Sequence, residues 1–247
     1  MAGSLSGRRA LVTGGGRGIG AAIVRRLARD GADVALTYVS RPDEATAIAA
    51  AVKDLGGRAV VLQADSADAS ALVAAVEQTV SDLGGLDILV NNAGIATMAP
   101  IDRFSLEDFD RTFAINVRAI FVATQAAIRH MGEGGRIVNI GSCNADRMPF
   151  AGGAAYAMSK SALHGLVKGL ARDLGPRGIT INTVQPGPVD TDMNPAEGEF
   201  AEMLKKLMAL PRYATPDEIA AMVAYLVGPE AGFVTGASLT IDGGFTA

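Results

Sequence analysis

Seven short apolar runs, each separated from the next by a longer stretch of helical spacing, organise the 247-residue chain. "ALVTG" near residue 10 precedes "GIGAAIVRRLARDG", "VALTY" (34–38) precedes an alanine-rich segment at 43–55, and "AVVLQ" (59–63) precedes 69–83. "DILVN" (87–91) leads into a long helical region around 106–131, and "RIVNI" (136–140) into a helix carrying Tyr156. "TINTV" (180–184) follows, and "SLTID" (238–242) comes after a helix at about 216–227. Mostly β-branched runs without alternation fit strands buried on both faces. Strands that take turns with helices predict an α/β fold: a seven-stranded parallel sheet with helices on both faces. No repeat or low-complexity linker interrupts the pattern, so residues 1–247 are expected to form a single domain.

One boundary is sharply marked. In "TPDEIAAMVAYL", Thr215 suits an N-cap, Pro216 the first helical position and Glu218 the third, which together make a capping box. The segment before it, about 187–214, is rich in Pro, Gly and Asp at its front and amphipathic at its back. It is the expected lid over a site.

Composition narrows the function classes. Hydrophobic residues make up 49%, with 30 glycines, which describes a packed chain and not a disordered one. A net charge of −4 supplies no basic field for a nucleic acid polymer or an anionic membrane. Cys143 is the only cysteine, so neither an intrachain disulfide nor a cysteine-built zinc site is available. The two histidines, His130 and His164, sit in helical patterns and read as structural or surface residues, and no metal is expected. No segment reaches the ~18–20 apolar residues of a spanning helix. The start has no signal-type apolar stretch, and the expected location is the cytoplasm.

The stretch "TGGGRGIG" (13–20) follows the first strand and opens the first helix. At such a turn Gly14 makes the tight bend, Gly18 lets the backbone approach a pyrophosphate, and Gly20 lets the helix pack close to the sheet. Ile19 lies between them, where the helix N-terminus turns its free N–H groups toward a phosphate. At the end of the second strand, NAD sites place a carboxylate for the ribose 2′-OH. Here the chain has Tyr38, Ser40 and Arg41. Arg17 and Arg41 are either charge-assisted donors to a 2′-phosphate or solvated surface arginines. The expected cofactor is NADP(H) rather than NAD(H).

Further motifs occur in a fixed order: "TGGGRGIG", Asp65 after the third strand, "NNAG" (91–94), Asn116 in "INV", Ser142 in "IGS", Tyr156 and Lys160 in "YAMSK", "PGPVDTD" (186–192) and "IDGG" (241–244). Across almost its whole length the chain resembles the short-chain dehydrogenase/reductase family. The resemblance implies a Rossmann-type fold and a catalytic tetrad of Asn116, Ser142, Tyr156 and Lys160. It implies an NADP(H)-type carbonyl reductase, similar to 3-oxoacyl-thioester reductases. The chemistry agrees: a carbonyl being reduced gains negative charge on oxygen and needs an acid and a hydrogen-bond donor. Tyr is a weak acid at neutral pH, and an ammonium one helical turn away is expected to favour its phenolate. Ser142 is the expected donor to the same oxygen, and by the resemblance Asn116 holds a proton-relaying water.

Other roles also follow from the resemblance. Asp65 bonds the adenine, or else caps the helix at 69–83. Asn91, Asn92, Ala93 and Gly94 line the adenosine and ribose path. Pro186, Gly187, Val189 and Thr191 lie along the nicotinamide, with Thr191 on its carboxamide. A homotetramer is implied, built on the helices around 106–131 and 155–174 and on the terminal "IDGGFTA".

Ser142 and Tyr156 lie fourteen residues apart, one more than is common in the family. Asn144, Met148 and Phe150 in that loop, with Met193 on the lid, are therefore substrate-pocket candidates. Met148 and Phe150 serve equally well as local core, and Met193, Phe200 and Met203 share that ambiguity. Cys143 reads as a buried small residue. The loop and "QPGPVDTDMNPAEG" are also similar to a subgroup described as cyclic-di-GMP-binding mediators of biofilm dispersal. That leaves nucleotide sensing as the alternative to carbonyl reduction.

Overall fold

The computed structural model describes residues 3–247. Seven strands form one sheet: β1 (Arg9–Val12), β2 (Asp33–Tyr38), β3 (Ala59–Gln63), β4 (Ile88–Asn91), β5 (Arg136–Ile140), β6 (Thr180–Pro186) and β7 (Ser238–Ile241). Their order is β3-β2-β1-β4-β5-β6-β7, with every pairing parallel. The strand order reverses between β1 and β4, which opens a crevice at their carboxyl ends.

The helices are α1 (Gly18–Arg29), α2 (Pro42–Asp54), α3 (Ala69–Leu83), α4 (Leu106–Phe113), α5 (Ala119–Ala127), α6 (Ala154–Leu174), α7 (Glu199–Lys205) and α8 (Pro216–Val227). They cover both faces of the sheet, because successive side chains of a strand point to opposite sides. Val12, Val34, Leu36, Val90 and Val138 pack under α1, α2 and α8, while their neighbours Leu11, Ala35, Leu89 and Ile137 pack under α3, α5 and α6. The edges depart from burial on both faces. β7 exposes Ser238 and Thr240 and half-buries Leu239 and Ile241, and β3 is only partly covered.

Local signals set the helix ends. Asp68 caps α3, its side chain accepting from the N–H groups of Ser70 and Ala71. Thr215 opens α8, and its backbone N–H donates to Glu218 at 2.8 Å. The region expected as one long helix around 106–131 is α4 and α5 joined through a π turn, Ala114–Arg118. The wider turn carries Asn116 at its centre.

Candidate active site

A single cavity of about 820 Å³ runs along the carboxyl ends of the strands. At one end the glycine turn is held from both sides. The Thr37 hydroxyl accepts from the Gly14 N–H at 2.9 Å, and Asn92 Nδ2 donates to the carbonyls of Thr13 and Gly14 at 3.0 and 2.9 Å. Gly14 and Gly18 adopt φ of +62° and +52°, which favour glycine. A Cβ on Gly20 would stand 2.2 Å from the Gly14 carbonyl oxygen. The turn is thus a bare backbone cradle at the start of α1, which fits the pyrophosphate of a dinucleotide.

Gly14, Arg17, Gly18, Ile19, Gly20, Tyr38, Ser40, Arg41, Asp65, Asn92, Ala93, Gly94, Pro186, Gly187, Val189 and Thr191 all line this cavity. Asn91 does not. It is buried, and its amide donates to Asn139 at 2.9 Å and Thr124 at 3.3 Å beneath the floor. Asp65 is not the cap of α3, since Asp68 fills that position; it accepts from the Ala67 N–H at 2.9 Å and faces the cavity.

Beyond Tyr38 the chain itself offers no carboxylate until α2, but two reach the arginines in space. Arg41 Nη1 meets Glu44 Oε1 at 2.8 Å and Asp192 Oδ2 at 3.2 Å, and Arg17 Nη1 meets the same Asp192 oxygen at 3.4 Å. The end of β2 itself carries no carboxylate, and the acids that meet the two arginines come from α2 and the 187–214 segment.

At the other end, β5 delivers Ser142 and α6 delivers Tyr156 and Lys160 to one wall. Ser142 is 8% exposed, and its hydroxyl accepts from the Asn144 N–H at 3.2 Å, which opens the short 3₁₀ turn Cys143–Ala145. Lys160 is 4% exposed, and its ammonium donates to the Ile140 carbonyl at 3.0 Å. Burial pushes its pKa down to about 8. The Tyr156 phenol is raised above its ordinary value: burial raises it most, and the Ser142 hydroxyl pulls it back. The ammonium points to Ile140 and lies over the tyrosine ring.

Asn116 does not face the cavity. Fully buried, it accepts from the Ile95 N–H and donates to the Ile95 carbonyl, both at 2.9 Å, and donates to Ser159 Oγ at 3.0 Å. Ser159 in turn donates to the Tyr156 carbonyl at 2.7 Å. Both amide hydrogens are spent, which leaves the second lone pair of Oδ1 as the side chain's free position for a relaying water. Its visible work is to tie the loop after β4 to the first turns of α6.

Of the pocket candidates, Asn144, Phe150 and Met193 line the cavity. Met148 does not. Its thioether lies over Gly153 at the start of α6, where a Cβ would stand 2.5 Å from the sulfur. Phe150 meets Phe200 of α7 edge to face, with ring centroids 5.7 Å apart. Met203 stays outside the lining. Burial pushes the Cys143 thiol up to about 12, as suits an inert small residue.

Phe245 escaped the sequence reading. It is 1% exposed, packs with Cys143, Leu204 and Tyr213, and closes the cavity floor. Arg147 lies over its ring at 5.6 Å and also donates to its carbonyl. This part of "IDGGFTA" is therefore committed within its own chain. Asp192, Glu44, Met98 and Leu204 also line the cavity without having been singled out. Among the described residues, no group of His, Cys, Asp and Glu is arranged to hold a metal, and no helix is long and apolar enough to cross a membrane.

The chain is similar to known proteins over nearly its whole length. The family described as enoyl-(acyl carrier protein) reductase matches residues 14–246. The cyclic-di-GMP-binding biofilm dispersal mediator protein of Escherichia coli (strain K12) is 54% identical, over 99% of this chain and 100% of its own. A short-chain dehydrogenase/reductase from Serratia marcescens BCRC 10948 superposes with a TM-score of 0.98 at 62% identity, covering 99% of this chain and 100% of that one. A short chain dehydrogenase from Burkholderia cenocepacia J2315, solved in complex with NADP, does so with a TM-score of 0.98 at 56% identity, over 99% and 100%.

Proposed function

The chain belongs to the short-chain dehydrogenase/reductase family, and on that premise we propose that it is an NADPH-dependent reductase of ketones or aldehydes, reversible as an alcohol dehydrogenase. The carrying observation is that Ser142, Tyr156 and Lys160 share one cavity with a backbone cradle for a dinucleotide. The glycine turn would hold the pyrophosphate, Asp65 the adenine, Arg17, Ser40 and Arg41 the 2′-phosphate, and Thr191 the carboxamide. NADPH, when bound, supplies the hydride that the carbonyl carbon accepts.

The rest of the reaction falls to this chain's residues. Ser142 Oγ and the Tyr156 phenol donate to the substrate oxygen. As charge grows on that oxygen, the Tyr156 proton moves to it. Keeping the phenol protonated at neutral pH, as its raised pKa does, suits the direction of reduction. Lys160 stabilises the resulting phenolate and reaches the ribose hydroxyls. Asn116 keeps α6 in register through Ile95 and Ser159. Ile95, Phe150, Phe200 and Leu204 give the reacting end an apolar wall, which fits a small or medium hydrophobic carbonyl, a 3-oxoacyl thioester included.

The test is NADPH consumption against a diverse carbonyl panel, with NADH in parallel. Turnover of apolar carbonyls with lower KM for NADPH is expected, and failure across the panel overturns the reading. A second reading rests on the 54% identity to a protein named for cyclic-di-GMP binding: the same cavity would take that dinucleotide instead. Calorimetry with cyclic-di-GMP, with and without NADPH, separates the two, and absence of heat removes the second. The half-exposed Phe121 of α5 and Met158 of α6 support assembly as a homotetramer through those helices, which analytical ultracentrifugation tests.

A further inference from the structure

Three charged side chains from three separate segments meet at the adenosine end of the cavity. Arg17 comes from the glycine turn, Arg41 from the end of the loop after β2, and Asp192 from the 187–214 segment. One oxygen, Asp192 Oδ2, serves both guanidinium groups, at 3.4 and 3.2 Å. The aspartate is delivered there by structure and not by a swinging side chain alone. Thr191 and Asn194 close a turn around it, with backbone bonds of 3.3 and 3.0 Å in the two directions. The Thr191 methyl also packs against Gly18, where a Cβ would stand 3.4 Å from it. Arg41 keeps a second acid, Glu44, on the same nitrogen at 2.8 Å.

An anion bridging two arginines is what a ribose 2′-phosphate would be. We infer that Asp192 is a specificity-determining residue: a resident carboxylate that occupies the arginine pair and competes with the cofactor's 2′-phosphate for it. This rests on the NADP(H) reading above. A phosphate monoester brings more charge and more acceptor oxygens than a carboxylate, so it wins the two guanidinium groups and repels Asp192. A ligand without that phosphate leaves the Arg17–Asp192–Arg41 bridge in place. The competition thus lowers the affinity for NADP(H) below what the arginines alone would give, and leaves that for NAD(H) unchanged.

The test uses titration calorimetry of the full chain with 2′-phospho-ADP-ribose and with ADP-ribose, which differ only in the phosphate. Wild type, D192N and D192E are compared at low and at high salt. Asp192 is solvent-facing, with 62% of its side chain exposed, so the substitutions leave the core untouched. For D192N, binding of the phosphorylated ligand should tighten about fivefold at low salt, as expected for exposed ion pairs, and the gain should shrink at high salt. ADP-ribose should bind as in wild type, and D192E, which keeps the carboxylate, should stay near wild type. A wild type that prefers the phosphorylated ligand while D192N gains nothing, or gains equally on both ligands, overturns the role of Asp192 alone. A wild type with no preference between the two overturns the NADP(H) reading itself.

Discussion

The Lys160 ammonium lies over the ring of Tyr156, 5.8 Å from its centroid, and donates to the carbonyl of Ile140 at 3.0 Å. The pair is therefore not a solvated couple on a helix surface. The lysine is anchored to the end of β5, the strand that also presents Ser142, so the acid and its neighbouring donor are set by one strand-to-helix contact.

Replacing Tyr156 by Phe keeps the ring that Lys160 covers and removes only the transferable proton. The loss in kcat should be about 10²–10⁴-fold, the range of a general acid, while NADPH titrated by fluorescence binds as before. Carbonyl turnover within tenfold of wild type would assign the proton to another group.

Lys160 also predicts a pH dependence of stability. Burial lowers its pKa from 10.5 to about 8. Between those values the unfolded chain binds a proton that the folded chain does not, so stability rises with pH across that window and is flat in this respect below it. Thermal melts of wild type and K160M, run from neutral to alkaline pH, isolate the contribution. The wild type should gain on the variant from about pH 8 upward. A constant difference would mean that Lys160 titrates normally.

Asn116, itself fully buried, makes three side-chain hydrogen bonds. In N116L the polar groups of Ile95 lose their partners, at about 1–3 kcal/mol for each group left unsatisfied. A chemical denaturation midpoint well below that of wild type is the expected result. Lost turnover with an unchanged midpoint would instead support a role in proton relay.

The residues legible in the sequence are those whose role depends on neighbours along the chain. Strand bounds followed from β-branched runs, the α8 start from Thr215 and Glu218, and the cradle from glycine spacing at a strand end. What escaped depends on distance in sequence. Asp192 meets Arg17 across 175 positions, and no local pattern announces such an encounter. Met148 and Phe150 are both apolar residues in the same loop, yet one rests on Gly153 and the other faces the cavity. Only the backbone path through the glycines before α6 separates them.

Gly20 carries no side chain because none fits. A Cβ there would stand 2.2 Å from the Gly14 carbonyl oxygen and 2.5 Å from Asn92 Nδ2. G20A must shift α1 away from the cradle, at about 1–3 kcal/mol for forced overpacking. The melting temperature should fall by roughly 2–4 °C for each kcal/mol lost, and NADPH affinity should fall with it. A variant with wild-type affinity would show that the turn does not hold the pyrophosphate.

Phe150 and Phe200 form the one aromatic contact between the loop before α6 and the 187–214 segment. Their edge-to-face geometry should contribute about 0.5–1.5 kcal/mol of coupling beyond the area they bury. Removing either ring opens the same apolar wall, so F150A and F200A should each raise KM for a hydrophobic ketone while leaving the KM for NADPH in place. Because the rings act on each other, the double variant should lose less than the sum of the two. Strictly additive effects on KM would mean that the two rings contact substrate independently. An unchanged KM in both would move the substrate to the opposite wall, toward Met98 and Ile95.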